Sequence, residues 1–548
     1  MGNGGEGRGR GMKKNLKAMF VAAGVMALAL ALAPWLMGAA CAQPQAPAKK
    51  PNLVVIMTDD VGWGDLGVYG GGAARGAPTP ELDRLAREGM YFTNFYGQAS
   101  CTAGRAAFLL GRMPIRSGLS EVLTMDSPGG LHKDEITLAD YLGRAGYRSV
   151  QIGKWHLGDR PQYYPTAVGF DEMYHMLPYY ANAYTWTDPK IYPDFPRNDP
   201  KYMNFFQARY NEGEWEGVKG QPSKKTKVFT GADLATCDNR MTDTAVEWIK
   251  KHAKDDRPFF MYLCYMKLHN PTMPAPEWQG KSPGGHRYLD SLMELDHNSG
   301  RVVQAIRDAG LAENTLVVWM PDNGAWVDVW PDCGYTPFRG AKGTNFEAGF
   351  RIPAIVWWPG HVPAGSRCDE IVANMDIFST AARLAGLPVP PHIWKDKAGK
   401  PMVFDGVDQT DLFLGKGPSK RDNFIYFEDQ DFGGVRLGHY KMLFTQRDTW
   451  LGTKKDKNIP ALYNLQWDPG EQHDLFFSAD SGDRMWKIVY MSDQVTNKFL
   501  KEVNEYPNRA PAGAGGYMTK SSVELLMKKG MIADAFKKML QEKAEQAK

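Results

Sequence analysis

Asn52-Leu53-Val54-Val55-Ile56-Met57-Thr58, running into Asp59-Asp60 and then Gly62, Gly64 and Gly67, is the stretch that sets the fold. Its apolar, β-branched residues do not alternate with polar ones, so it reads as a strand buried on both faces, as in a parallel sheet covered by helices. Thr315-Leu316-Val317-Val318-Trp319-Met320 repeats the pattern and ends in Pro321-Asp322-Asn323-Gly324. Tyr147–Ile152, Pro258–Tyr265 and Ile352–Trp358 give further strands. Thr79 and Pro80 suit the N-cap and first turn of a helix through Leu82, Leu85 and Ala86, ending at Gly89. Helices are also expected near 136–145, 288–309 and 375–386. Such alternation predicts an α/β fold, a mainly parallel central sheet with helices on both faces. Carboxylates at the carboxyl ends of such strands stand where open α/β sheets hold ligands.

Asp59, Asp60, Asp322 and Asn323 offer three carboxylates and an amide oxygen, with no imidazole or thiolate among them. That donor set suits a hard cation, Ca²⁺ by preference and Mg²⁺ where the geometry is tighter. Either cluster alone is also good turn and cap sequence. Cys101-Thr102-Ala103-Gly104-Arg105, continuing to Leu110-Gly111-Arg112, sets a cysteine at the mouth of an expected helix. Unpaired N–H groups and the positive helix end stabilise an anion there, and Arg105, one turn on, adds a bidentate clamp. A lone cysteine is more often a small buried apolar residue. Gly153-Lys154-Trp155-His156-Leu157-Gly158 places Lys154 and His156 on one side of an extended backbone. His269-Asn270-Pro271 follows another strand, and Lys342 sits in a glycine-rich loop between Pro337 and Pro353. Taken singly, Lys154, His156, His269 and Lys342 have ordinary surface or core readings.

Together these motifs, in this order, resemble type I sulfatases of the alkaline-phosphatase superfamily over roughly residues 50–475. The Cys-x-Ala-x-Arg…Gly-Arg run is similar to the signature whose cysteine is oxidised to formylglycine. Commoner forms of it have Pro at position 103, Ser at 104 and Thr at 110. The Gly153–Gly158 hexapeptide matches the family motif unchanged. At His269 the family commonly has His-x-Pro-His, and this chain has Thr272 in place of the second histidine.

The resemblance implies hydrolysis of sulfate esters, arylsulfatase-like, releasing inorganic sulfate and an alcohol or phenol. It implies metal ligation by Asp59, Asp60, Asp322, Asn323 and the formylglycine oxygen derived from Cys101. Arg105, Lys154 and Lys342 would neutralise the sulfuryl oxygens, leaving the loaded site with about two positive charges before substrate enters. A hydroxyl of the hydrated aldehyde attacks sulfur, His269 protonates the leaving group, and His156 takes the remaining hydroxyl proton as sulfate is expelled. Alternatives are a phosphonate or phosphate ester hydrolase of the same superfamily, and a non-catalytic sulfated-glycan binder if Cys101 is not converted.

The 548 residues carry a formal net charge of +3, too near neutral to argue for nucleic acid. Lys13, Lys14 and Lys17 precede an apolar run from Ala18 to Met37, and Ala40-Cys41-Ala42 offers a small-x-small cleavage site. Export to the periplasm or outside is expected, with no membrane partner for the mature chain unless Cys41 is lipidated or the segment stays as an anchor. The expected division is a signal at 1–42, a linker at 43–50, a catalytic domain at 51–420 and a C-terminal α+β subdomain at 421–548. Within the catalytic domain, about 178–227 forms an aromatic-rich insertion. The C-terminal piece has short strands at Phe424–Glu428, Gly434–Leu437 and Tyr440–Phe444, with Leu462–Leu465 following, and resembles the smaller antiparallel sheet of sulfatases. An amphipathic helix is expected over 521–548. Cys237, Cys264, Cys333 and Cys368 are too few for a disulfide scaffold, and Cys264 reads as core. Expected partners are a sulfated small molecule or carbohydrate and, during maturation, a formylglycine-generating enzyme. Oligomeric state is left open.

Overall fold

A computed structural model describes residues 1–2, 49–124, 127–185, 193–200, 213–477 and 481–513. The chain divides into two compact units, Met1–Ala48 and Lys49–Lys548. The signal segment and the 521–548 helix lie outside the described residues, as do Trp186, Tyr192, Tyr202, Phe205 and Phe206 of the insertion.

The main sheet of the second unit is built from β1 (Asn52–Thr58), β2 (Met90–Tyr96), β3 (Arg148–Lys154), β4 (Glu172–Leu177), β5 (Gly213–Val218), β6 (Lys224–Val228), β7 (Phe259–Cys264), β8 (Thr315–Pro321), β9 (Arg351–Trp357), β10 (Ser366–Cys368) and β11 (Val372–Ala373). Its order is β10-β2-β9-β8-β1-β7-β3-β4-β5-β6, with β11 also on β2. The middle, β8-β1-β7-β3-β4, is parallel, with Val55 of β1 opposite both Tyr262 and Val318. β9 runs antiparallel between β8 and β2. The chain between β8 and β9 is spent on loops, a 3₁₀ turn at Val327–Val329 and the short turn Glu347–Phe350, so it returns without a long crossover helix. β5 and β6 form a hairpin that gives part of the aromatic insertion regular structure at the sheet's edge.

Among the described residues the sheet is covered by helices α1 (Pro80–Glu88), α2 (Cys101–Leu110), α3 (Leu138–Gly143), α4 (Cys237–His252), α5 (Arg287–Asp308) and α6 (Asp376–Leu384). Leu53, Val55 and Met57 point into a core shared with α2, α3 and α6, while Val54 and Ile56 point into one shared with α1, α4 and α5. Alternate side chains of one strand thus feed both layers, which is why its sequence is apolar throughout. Thr79 precedes α1 but makes no side-chain cap bond. Its hydroxyl accepts the Gly67 N–H at 2.9 Å, tying the helix to the glycine loop after β1.

A hairpin of β12 (Ile393–Lys395) and β13 (Pro401–Val403) precedes an antiparallel meander of β14 (Asn423–Glu428), β15 (Asp431–Leu437), β16 (Tyr440–Gln446) and β17 (Lys455–Asn464). Helix α7 (Asn497–Glu505) packs Phe499, Leu500 and Val503 on it. The five described cysteines are all free, and Cys264 is buried in β7. No described helix is long and apolar enough to cross a membrane.

Candidate active site

Neighbouring parallel strands lie about 4.8 Å apart, so residues just past their carboxyl ends are brought within reach of one another. Asp59 and Asp60 follow β1, and Asp322 and Asn323 follow β8; Lys154 ends β3, with His156 beyond it, and His269 follows β7. Helix α2 starts over this edge with Cys101 as its first residue and Arg105 one turn on. The loop before β9 brings in Lys342. Every site residue expected from the sequence is buried at this one place.

Cys101 Sγ lies 3.5 Å from Asp59 Oδ1 and 3.0 Å from Lys342 Nζ. Lys342 Nζ also donates to Asp60 Oδ1 at 2.6 Å, and Lys154 Nζ pairs with Asp59 Oδ2. The Arg105 guanidinium stands 2.7 Å from Asp322 Oδ2, out of hydrogen-bond alignment, and 3.7 Å from Asp59. It donates to the Lys154 carbonyl at 3.1 Å. Asn323 Nδ2 donates to Asp60 Oδ1 at 2.7 Å. Potential ligand atoms of Asp59, Asp60, Cys101 and Asp322 lie within 4.8 Å of one another.

The two histidines are held differently. His156 Nε2 faces the Leu123 carbonyl at 2.9 Å; a carbonyl only accepts, so Nε2 carries the hydrogen and Nδ1, buried and unpartnered, keeps its lone pair. By the same argument His269 donates Nδ1–H to the Asn270 carbonyl at 2.7 Å, and its Nε2 stands 3.9 Å from Asp60. Asp60 and His156 both adopt positive φ, 55° and 58°, backbone strain that sits at the centre of the site.

Burial governs the electrostatics. It would raise Asp59, but Lys154, His269, Lys342 and Arg105 hold that carboxyl well below its usual range. Burial and the neighbouring Asp59 and Asp322 push Asp60 up to about 6 in spite of Lys342. Burial and Asp59 likewise raise Asp322. The Cys101 thiol is pushed up to about 12 by burial and Asp59, so it is a neutral thiol and a poor nucleophile. Burial first, then the nearby lysines, depresses both His156 and His269.

Several oxygens here accept no hydrogen bond: Asp60 Oδ2, Asp322 Oδ1 and Asn323 Oδ1 are buried without one, and Asp322 Oδ2 has only its ion pair with Arg105. Bare acceptors of this kind are costly unless something cationic meets them. The donor set fits a hard divalent cation, which would also favour the charged forms of Asp60 and Asp322.

Sequence reading marked the aromatic-rich insertion but missed Trp326 and Trp450, which join its Tyr180 in an aromatic wall. Tyr180, from the insertion, stacks on His269 at 5.7 Å between ring centres and lies 5.4 Å from His156. Trp326 meets His269 edge-on at 5.6 Å and Trp450 at 5.2 Å. Lys342 Nζ lies over both indoles, at 5.1 and 5.6 Å. Trp326 and Trp450 sit in loops with no periodicity to mark them. Thr102, also unmarked, donates to the His156 carbonyl at 3.1 Å and accepts the Leu123 N–H, joining α2 to His156 and to the residue whose carbonyl holds its ring.

The profile of the Sulfatase family matches residues 51–387, and that of the N-sulphoglucosamine sulphohydrolase C-terminal region matches 341–489. The N-acetylgalactosamine-6-sulfatase of Canis lupus familiaris is 33% identical, covering 78% of this chain and 82% of the relative. Arylsulfatase A of Homo sapiens is 34% identical, covering 78% and 84%. The crystal structure of PsFucS1 sulfatase from Pseudoalteromonas sp. superposes with a TM-score of 0.76 at 32% identity, covering 84% of this chain and 92% of the other.

Proposed function

The chain belongs to the sulfatase family and is a sulfuric ester hydrolase, and from that premise we propose that its nucleophile is a formylglycine hydrate made from Cys101 and that its substrates are sulfate esters of carbohydrates or phenols. The observation that carries the reading is the packing of Lys342, Asp59 and the helix mouth around Cys101. As a thiol this side chain is neutral and enclosed. As an aldehyde hydrate it supplies an oxygen nucleophile and a second hydroxyl through which sulfate can leave.

The remaining groups take their parts from position. Asp59, Asp60, Asp322, Asn323 and the modified residue 101 would hold Ca²⁺, or Mg²⁺, which supplies charge stabilisation for a sulfuryl oxygen. Arg105, Lys154 and Lys342 are fixed cations that stabilise charge developing in the transition state. His269, beyond Asp60 and walled by Tyr180 and Trp326, serves as the acid for the departing oxygen in its imidazolium form, giving up the Nε2 proton while Nδ1–H stays on the Asn270 carbonyl. His156, its Nδ1 lone pair unpartnered, serves as the base. The aromatic wall offers flat faces to a sugar or aryl ring. N-acetylgalactosamine-6-sulfatase is among the similar proteins, which favours a sulfated carbohydrate. Residues 1–42 are assigned to export, and 51–420 and 421–548 to the catalytic domain and its C-terminal subdomain.

Peptide mass analysis at residue 101, paired with aryl and carbohydrate sulfates and matching phosphate and phosphonate esters, tests this. Formylglycine with turnover of sulfates is expected. Equal turnover from homogeneous, mass-verified Cys101 protein would refute it. Calcium has a separate readout: adding Ca²⁺ to chelator-treated protein should raise the melting temperature, by an amount that grows with concentration. An unchanged melting curve up to millimolar Ca²⁺ and Mg²⁺ would remove the metal assignment.

A further inference from the structure

Asp332 is a carboxylate that the site's chemistry does not use, yet it is 3% exposed and fully engaged. Its Oδ2 accepts from Asn270 Nδ2 at 2.8 Å, from the Thr272 N–H at 2.9 Å and from Arg287 at 2.7 Å. Its Oδ1 accepts from the Thr272 hydroxyl. Three of these four contacts fall on the residues immediately after His269.

The connection to His269 is short. Asn270 is gripped by Asp332 through its side chain, and its backbone carbonyl is the acceptor that fixes His269 Nδ1–H at 2.7 Å. The imidazole is oriented by that carbonyl, by the Tyr180 stack and by the edge of Trp326. Trp326 belongs to the same loop as Asp332, and Asp328 between them accepts the Trp450 N–H at 2.7 Å. One loop, entered directly from Asp322 and Asn323, therefore braces His269 from two directions.

We propose that Asp332 is a positioning residue for His269, acting through Asn270 and Thr272, and that the Thr272 hydroxyl is the second grip by which the loop holds the histidine's backbone. The inference rests on His269 being the acid for the leaving group. A hydrogen-bonded carboxylate behind an acid or ligand histidine commonly fixes its ring, here at one remove. Removing Asp332 lets residues 269–272 relax, so Nε2 is no longer held where the departing oxygen passes. Proton donation matters most for a poor leaving group, so the loss is selective.

The test uses the converted, full-length enzyme and aryl sulfates whose phenols range from 4-nitrophenol to unsubstituted phenol. His269→Ala, Asp332→Asn, Thr272→Ala and Thr272→Ser are compared with the parent. General acids contribute roughly 10²–10⁴-fold, so D332N should lose about tenfold or more in kcat on phenyl sulfate. It should stay within about threefold on 4-nitrophenyl sulfate, whose leaving group needs little protonation. H269A should steepen the dependence on phenol pKa further, T272A should follow D332N, and T272S should restore the parent slope. If H269A steepens the slope while D332N lowers all substrates by one common factor, the carboxylate is only structural and the proposal is wrong. If H269A leaves the slope unchanged, the acid assignment itself fails and takes this inference with it. Should D332N not fold, the T272A and T272S pair decides: equal slopes from the two overturn the role of the hydroxyl grip.

Discussion

A methyl group on residue 104 would stand 2.0 Å from the Asp322 carbonyl oxygen and 2.7 Å from its carbon. Gly104 is one helical turn from the mouth of α2, and its lack of a side chain lets the helix press against the strand end that carries Asp322 and Asn323. Gly104→Ala should therefore destabilise the protein by about 1–3 kcal/mol, although alanine is the better helix former. It should lower kcat with the same substitution, because moving α2 moves Cys101 and Arg105. Calorimetry and steady-state rates check both; a raised melting temperature would mean the contact is soft. Cys101→Ala removes a buried sulfur and no ion pair, so the variant should melt close to the parent and turn over no sulfate ester. The polar site residues were legible because each stands in a dense local motif of glycines and charges. Trp326, Trp450 and Asp332 were not, since a single aromatic or acid in an irregular loop has no local signature and gains its role only from what folds beside it.

The short helical turn Pro114–Ser117 that follows α2 shows how an element is pinned by charge. Asp405 accepts the Met113 N–H at 2.8 Å and the Arg116 Nε–H at 2.9 Å, and Arg116 reaches Glu502 as well. Burial would raise the Asp405 carboxyl, but Arg116 and the Met113 N–H hold it below its ordinary 3.8. Because the folded value is the lower one, the stability it contributes is present above the ordinary value and is lost as pH falls through that value towards the folded one. Asp405→Asn should cost about 1–3 kcal/mol near neutrality and progressively less in acid. Urea midpoints compared between about pH 7 and about pH 3 measure this; a gap that does not narrow contradicts the ion pair. At this scale the sequence read best where both faces of a strand are buried, as in β1 and β8. β2 escaped it because Tyr91 and Asn94 are only partly buried and interrupt the apolar run. β5 and β6 escaped it because β5, though half-buried, is mostly Gly and Glu around a single Trp, and β6 is an exposed run of Lys, Thr and Val, so neither shows an apolar face. The antiparallel sense of β9 depends on the connection, which residue pattern does not record.

At the scale of the molecule, the meander and the main sheet meet across buried charge. Lys441 of β16, fully enclosed, lies 3.0 Å from Glu347 at the head of β9's leading turn and 2.8 Å from Glu471. Arg436 and the hydroxyls of Tyr96 and Tyr426 converge on the same Glu347. Lys441→Met would leave two carboxylates without their shared counter-ion and should destabilise the chain by about 3–5 kcal/mol. A stability loss below about 1 kcal/mol by chemical denaturation would show that the seam relaxes. Trp450, from the loop between β16 and β17, rests on Gly343 beside Lys342, so loosening the seam should also raise KM. If residue 101 is converted as proposed, the enclosure of Cys101, 1% exposed beneath Lys342 and the end of β8, sets an order of events in the life of the polypeptide. No second enzyme can grasp a sulfur that has already been roofed over, so any conversion of this residue belongs to the nascent or unfolded chain, before the later half of the sequence arrives to shut the door. Folded protein given the maturing enzyme afterwards should stay unconverted, whereas a peptide spanning Cys101 to Arg112 should be accepted.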